Sequence, residues 1–414
     1  MIVDLRINNY SIFPYEVNFS MEANMKIKLF PTNIYKEKNA NLLKVGGIFG
    51  PNNAGKSCLV SSLESIKKIL LNQKVSLVKN FFSNKNIIEM GITFLHSGKQ
   101  FDFNFKFDDL KKEYIYEYFC ERIGKNEKKE LIIRDVYKNN YFISDDSELS
   151  PLLSKASKSN LLIHLIDEES SKTIKKVKNI VTNFANRMEI IDMNKIRLDK
   201  TIYFLKNNKM KDKIVHFIKN ADIYLDDFSY MEDRKIEIEQ KGKKYINKEI
   251  EKIIPQEALD ELKLMSVYKG KKVPSILFDS IGTKKIESIA AYIIEALEEG
   301  KILIIDELDS SLHFSLTRSI ISLFNNELNN KAQLLFTAHD ITLLDCKKLF
   351  RKDQIWFIHK EENDVYLYSL DDFTSRDGVR ETSDIIEKYK RGVFGAVPNP
   401  DIIQTLYEVI ENEK

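Results

Sequence analysis

Cysteine is scarce in this chain: Cys58, Cys120 and Cys346 are odd in number and far apart. Three thiols so placed supply neither a disulfide framework nor a zinc site, and they fit a reducing compartment. No apolar run approaches the roughly 20 residues of a membrane span. The N-terminus, Met1-Ile2-Val3-Asp4-Leu5-Arg6, lacks the charged-then-apolar design of a signal peptide. A cytoplasmic protein without membrane contact is expected. An excess of one charge is missing too: 64 Lys and Arg against 62 Asp and Glu leave a net +2, too balanced to imply a nucleic-acid partner. Sustained heptads, internal repeats and low-complexity segments are absent, which excludes a long coiled coil. What is present is a 43% hydrophobic fraction over 414 residues, enough for one large globular domain or two to three smaller ones.

The most informative segment is Gly50-Pro51-Asn52-Asn53-Ala54-Gly55-Lys56-Ser57, a G-x-x-x-x-G-K-S loop. Its glycines admit backbone angles and close approach that side chains would block, so consecutive N–H groups turn inward on phosphates at a helix N-terminus. Lys56 then meets the β- and γ-phosphates, and the Ser57 hydroxyl ligates Mg²⁺. The setting agrees: the run Val45 to Phe49 reads as a strand, and Leu59, Leu63, Ile66 and Leu70 recur at helical steps. Ile2 to Ile7 and Val17 to Phe19 read as short strands.

From about 86 to 145 the period changes to two. Phe101, Phe103, Phe105 and Phe107 alternate with Asp102, Asn104, Lys106 and Asp108, and Tyr114, Tyr116 and Tyr118 repeat the pattern. This predicts an antiparallel sheet with one wet face, its aromatic stripe packed rather than base-stacking. From about 150 to 265 the reading is mostly helical. Between Lys155 and Lys219 stand 15 basic against 7 acidic residues; such an excess meets phosphates or, more commonly, solvates a helix face.

Beyond about 273, buried strands (302–306, 333–337, 354–358) alternate with helices (286–298, 313–327). Ile302-Leu303-Ile304-Ile305-Asp306-Glu307 is an apolar strand ending in two carboxylates. Asp306 suits Mg²⁺ through its water shell, and Glu307 suits polarisation of an attacking water. A second buried strand, Gln333 to Thr337, ends in Ala338-His339-Asp340, where His339 can donate to a γ-phosphate. Between loop and carboxylates lies Asp279-Ser280-Ile281-Gly282-Thr283 at a helix start, a turn and cap or an anion site.

The order of loop, long insertion, Ser-x-Gly-Thr segment, Asp-Glu and His resembles the RecF/SMC/OLD branch of ABC-type ATPases. The stretches Ile305–His313, Ala332–Asp340, Arg351–Phe357, Leu367–Leu370 and Tyr389–Pro398 are similar to RloA-like AAA family ATPases. The resemblance implies an α/β fold: an ABC-type ATPase head with a β-rich lobe and an inserted helical domain. It implies ATP and Mg²⁺, with catalytic Glu307 and His339, nucleotide contacts from Asn52, Asn53, Ala54, Gly55, Lys56, Ser57 and Asp309, and metal ligation by Ser57 and Asp306. Ser280, Gly282 and Thr283 would reach a nucleotide held by another subunit of a head-to-tail dimer. Two departures stand out: Ile281 occupies a usually small or polar slot, and Lys390 and Val393 differ from the late motif's usual residues.

The expected layout is an N-terminal ATPase part with the loop (1–85), a β-rich lobe (86–150), a helical insertion that binds a partner (151–270) and a C-terminal ATPase part (271–414). The implied role is an ATPase in anti-phage defence that regulates a separately encoded effector, a TOPRIM-type nuclease being one option. No nuclease activity is expected in this chain, because only 75 residues follow His339. Two alternatives stay open: a RecF-like DNA-binding ATPase, and a scaffold that binds ATP without turnover.

Overall fold

In the computed structural model of the protein, the apolar runs Val45–Phe49, Ile302–Asp306 and Gln333–Ala338 are strands of one six-stranded sheet. Its order is Met188–Asp192, Ile302–Asp306, Gln333–Ala338, Val45–Phe49, Ile355–Glu361 and Asp364–Ser369. The first five run parallel and the last returns antiparallel. The structure describes residues 1–38, 40–124, 127–207, 210–221, 223–234, 237–240, 243–246, 254–380, 383–397 and 405, with the backbone alone at 146, 237–240 and 243–246.

Successive side chains of a strand point to opposite faces, so a strand that is apolar throughout needs cover on both. Ile302 and Ile304 share a core with Leu59, Leu63 and Ile66 of the loop helix, Lys56–Leu70. Leu303 and Ile305 share another with Ile289 and Ile293 of the helix Ile281–Glu299, and with Ile320 and Phe324 of the helix Phe314–Asn325. Each such enclosed side chain contributes roughly 1.5–3 kcal/mol. The α/β architecture expected from the sequence is the observed one.

The second sheet is antiparallel and has seven strands: Asn140–Ile143, Lys128–Asp135, Glu113–Arg122, Lys99–Asp108, Ile87–His96, Ile2–Asn8 and Val17–Ser20. It is wider than the stretch 86–145 because the first two strands of the chain join it. Phe101, Phe103 and Phe105 are buried on its inner face, and Phe94 stacks on Phe184 of the helix Lys172–Asn186 with centroids 4.0 Å apart. Two details depart from the simple alternation. Asp102, expected on a wet face, is buried under Arg6, Arg122 and Lys128; against the cost of burial, Arg6 and Arg122 hold its carboxyl below the usual range. A register shift at Lys106/Phe107 leaves Tyr114 against Phe105 and Phe107, but sends Tyr116 and Tyr118 to the outer face, stacked on each other. The three tyrosines therefore do not form one stripe.

The segment expected to be mostly helical is mixed. The helices Lys172–Asn186, Asp199–Lys206 and Lys211–Asn220 are present. Met188–Asp192, however, is an edge strand of the parallel sheet, and Asp227–Tyr230, Leu264–Tyr268 and Lys271–Pro274 form a three-stranded antiparallel sheet. Met188-Glu189-Ile190-Ile191-Asp192 is too short for its periodicity to separate strand from helix.

The late motif closes the sheet edge. Phe394 stacks on Phe357 with centroids 5.1 Å apart, and the Tyr389 hydroxyl donates to the Ala396 carbonyl at 2.6 Å. Pro398, the motif's last residue, lies outside the described residues. Arg351 ties the two ends of the chain together. Its guanidinium is fully enclosed, forks onto Asp353 at 2.9 and 2.7 Å, and donates to the carbonyls of Asn24, Ile27 and Leu29. Removing one partner of a buried, hydrogen-bonded pair strands the other charge. Arg351→Ala is therefore expected to cost about 3–5 kcal/mol of unfolding free energy, measured by urea denaturation; a loss within surface-substitution range would contradict this account of the anchor.

Candidate functional site

The carboxyl ends of a parallel sheet are where polar side chains can emerge from a sealed core, and the sequence-marked residues gather there. Val45–Phe49 runs into the loop at Gly50, Ile302–Asp306 ends in its two carboxylates, and Gln333–Ala338, which lies between them, ends at His339. Residues nearly 300 positions apart thus become neighbours.

Gly50 and Gly55 adopt positive φ, 156° and 113°. A side chain at Gly50 would collide with the Ile358 carbonyl, and one at Gly55 with Ile12. Gly55 is the N-cap of the loop helix and provides no side-chain acceptor, so the helix's first N–H groups have no partner from their own helix. Asn52, Asn53 and Ser57 are exposed at the loop, while Ala54 is packed beneath it. Lys56 folds back over the loop. Its Nζ donates to the carbonyls of Gly50 at 2.8 Å and Pro51 at 3.0 Å, and lies 3.4 Å from His339 Nδ1. Burial pushes the Lys56 ammonium down to about 8, against the opposing pull of Glu307, Asp306 and Asp309. A cation held this way gains from an added anion.

Thr337 organises the two carboxylates. Its hydroxyl donates to Asp306 Oδ1 at 2.5 Å and accepts the Glu307 N–H at 2.8 Å. Glu307 has left-handed backbone, φ 56°, which turns its side chain out of the strand. Its Oε2 accepts from Asn194 Nδ2 at 2.6 Å, and Oε1 lies 3.9 Å from His339 Nε2. Asn194 Oδ1 in turn accepts from the Ser310 hydroxyl at 2.6 Å. Asp309 Oδ2 accepts the N–H groups of His339 and Asp340 at 2.8 and 2.6 Å, while its enclosed Oδ1 has no donor.

Asn194 and Thr337 were not among the residues marked by sequence. Thr337 could have been found as the last polar residue of the strand before His339. Asn194 carries no motif; it becomes visible only once Asp192 is paired with Asp306 across the sheet.

The Ser280 segment lies against the turn that follows Glu307. Ser280 caps the helix Ile281–Glu299, accepting the Thr283 N–H at 3.1 Å. Gly282 lies against Ser311: a Cβ there would stand 3.2 Å from the Ser311 carbonyl. Lys285 donates to the Ser310 carbonyl and hydroxyl at 3.2 and 3.0 Å. Ser280 itself is exposed, as are the large apolar side chains of Leu277, Phe278 and Ile281 beside it.

The donor set fits Mg²⁺ bound with a polyphosphate. Among the described residues no group of three or more His, Cys, Asp or Glu side chains is placed to hold a metal. Mg²⁺ with phosphates needs only one or two protein oxygens and keeps several waters, which the Ser57 hydroxyl and the Asp306 carboxylate can supply. Among the described residues no helix is long and apolar enough to cross a membrane.

A family model described as "AAA domain, putative AbiEii toxin, Type IV TA system" matches residues 47–345. No curated protein matches the chain in sequence. Among solved structures it is similar to an SMC head domain from Thermotoga maritima, with 10% identity, TM-score 0.42, and coverage of 89% of this chain and 98% of that one. It is also similar to an Smc head domain with an extended coiled coil, bound to the C-terminal domain of ScpA, from Pyrococcus furiosus. There the identity is 10%, the TM-score 0.43, and the coverage 90% and 97%.

Thr337→Val keeps the shape of the side chain but removes the donor to Asp306 and the acceptor for Glu307. It is expected to cost about 1–3 kcal/mol of stability, with Thr337→Ser recovering most of the loss in chemical denaturation. Equal stability of the Val variant and wild type would contradict the bridging role.

Proposed function

The chain belongs to this AAA-domain family, and we propose that it is an ABC-type ATPase hydrolysing ATP at composite sites between two head-to-tail copies. The observation that carries the reading is the convergence of Lys56, Asp306, Glu307, Asp309 and His339 at the ends of three adjacent parallel strands. Lys56 exchanges the Gly50 and Pro51 carbonyls for the β- and γ-phosphate oxygens of ATP, and the N–H groups of Asn52 to Ser57 cradle the same phosphates. Ser57 and Asp306 would hold Mg²⁺, which would neutralise charge developing on the phosphate oxygens. Glu307 polarises the attacking water, aimed by its hydrogen bond from Asn194. His339, fixed at its backbone by Asp309, faces the γ-phosphate.

The second copy is supported by the surface around Ser280. Leu277, Phe278 and Ile281 are 73%, 64% and 72% exposed, an apolar cluster of the kind that is covered in an assembly. In the dimer, Ser280, Gly282 and Thr283 of one copy close on the γ-phosphate held at Lys56 of the other. Closure on ATP and reopening after hydrolysis would regulate a separately encoded toxic effector, in keeping with a family whose description names a toxin and a toxin–antitoxin system. A RecF-like DNA clamp finds less support in the basic segment. Lys155, Lys195, Lys200, Lys206 and Lys213 pair with carboxylates, and Lys175, Lys178 and Arg187 donate to backbone carbonyls.

Two measurements test the site. Lys56→Ala should abolish ATP binding, and Glu307→Gln should bind ATP with turnover reduced about 100-fold or more, as a stabilised dimer in analytical ultracentrifugation. Normal hydrolysis by the Gln variant would sink the mechanism, and turnover that rises with DNA at low salt would favour the clamp. Phosphate binding should also raise the depressed Lys56 pKa. At pH 8 binding is then accompanied by uptake of about half a proton, which shrinks toward pH 6.5. Calorimetry in two buffers of different ionisation enthalpy reads it directly; no uptake at pH 8 would remove Lys56 from the phosphate site.

A further inference from the structure

A buried carboxyl pair lies beneath the Ser280 segment. Glu287, on the helix Ile281–Glu299, is fully enclosed, and Asp279, 7% exposed, immediately precedes Ser280. Asp279 accepts from the hydroxyls of Ser266 and Tyr268, the latter at 2.5 Å, both on the strand Leu264–Tyr268. Glu287 accepts from the Ser275 hydroxyl at 3.0 Å through Oε2, while its equally enclosed Oε1 meets no donor. Two enclosed carboxylates side by side cannot both ionise at low cost. Asp279 receives two hydroxyl donors and is the natural acceptor; Glu287, with an orphaned oxygen, is the natural holder of a proton.

We propose that Glu287 is a positioning residue for the ATPase reaction: protonated at Oε1, it donates to Asp279 and fixes the turn that presents Ser280 to the second copy. The proposal rests on the composite-site reading above. Burial and the neighbouring Asp279 push the Glu287 carboxyl up to about 9, so the proton is held at neutral pH. Among the described residues, the other titratable or charged groups facing the pair are Tyr268 and Lys284. Burial and the bond to Asp279 push the Tyr268 phenol up, so it stays a donor. Lys284 donates to the Ile276 carbonyl at 2.7 Å and braces the same turn. The backbone carbonyl of Glu287 accepts from Thr201 at 2.8 Å. Glu287 and Asp279 together thus connect the helix Asp199–Lys206, the Leu264–Tyr268 strand and the Ser280 turn.

Glu287→Gln offers an N–H where the proposal needs an O–H and never ionises. The full-length Gln variant should hydrolyse ATP at pH 7 within about twofold of wild type, whereas Glu287→Ala should lose about tenfold or more while ATP binding changes little. The pH dependence has a definite sign. Native Glu287 keeps a proton that the unfolded chain releases above the ordinary glutamate range. The Glu287 contribution to wild-type stability therefore falls with rising pH from the ordinary glutamate range up to about 9, by as much as about tenfold in the folding equilibrium per pH unit. The Gln variant lacks this slope, so its Tm should rise relative to wild type as the pH increases from about 5 to 9. Parallel Tm curves for the two proteins, or a Gln variant as slow as the Ala variant, would overturn the proposal. The Tm comparison requires no ATPase activity, so failure of the carboxyl pair is distinguished from failure of the ATPase reading.

Discussion

A parallel strand sealed on both faces has no room for a polar side chain except at its ends, and this constraint arranges the molecule. Ile302 to Ile305 alternate between two cores, one shared with the loop helix and the antiparallel sheet, the other with the helices on the opposite side. Polar groups are driven to the strand ends, where Asp306 appears as the chain leaves the sheet. The same applies to Phe49 before Gly50 and to Ala338 before His339. The site is therefore built where largely apolar strands end, with Thr337 the one polar side chain admitted just inside an end, held there by Asp306 and the Glu307 N–H. Their register, Ile305 beside Phe336 and Ala338 beside Phe49, sets where each functional group emerges.

That constraint also decides what could be read from the sequence. Val45–Phe49, Ile302–Asp306 and Gln333–Ala338 were legible because largely apolar runs end abruptly in glycine, carboxylate or histidine. The loop was legible because its glycines and lysine stand at fixed spacing. Met188–Asp192 has two acids in five residues and lies in a lysine-rich helical neighbourhood, so nothing local marks it as a member of the central sheet. Asn194 is hidden for the same reason, since its meaning depends on the pairing of Asp192 with Asp306. Tyr116 and Tyr118 were misplaced because a single register shift exchanges the two faces of a strand. Glu287 lies in a segment whose helical period was clear. A glutamate there gives no local sign of burial until Ser275 and Asp279 are seen against it.

The turn from Glu307 to Ser311 joins these pieces. Glu307 and Ser311 both take left-handed backbone, φ 56° and 59°, at a cost of roughly 1–3 kcal/mol each for residues other than glycine. The surrounding bonds hold the turn: Thr337 grips the Glu307 N–H, Asp309 accepts from His339 and Asp340, and Asn194 accepts from Ser310. On its outer side the turn meets the helix that carries the Ser280 segment, through Lys285 on Ser310 and Gly282 against Ser311. Five residues thus touch both the group that would polarise water in one site and the surface that would complete another. If ATP shifted His339, the His339 N–H would carry Asp309 with it, and Ser310 and Ser311 would pass the shift to Lys285 and Gly282. Such coupling would need no long pathway, because a strained turn over-determined by side-chain bonds has few ways to relax other than moving as a unit.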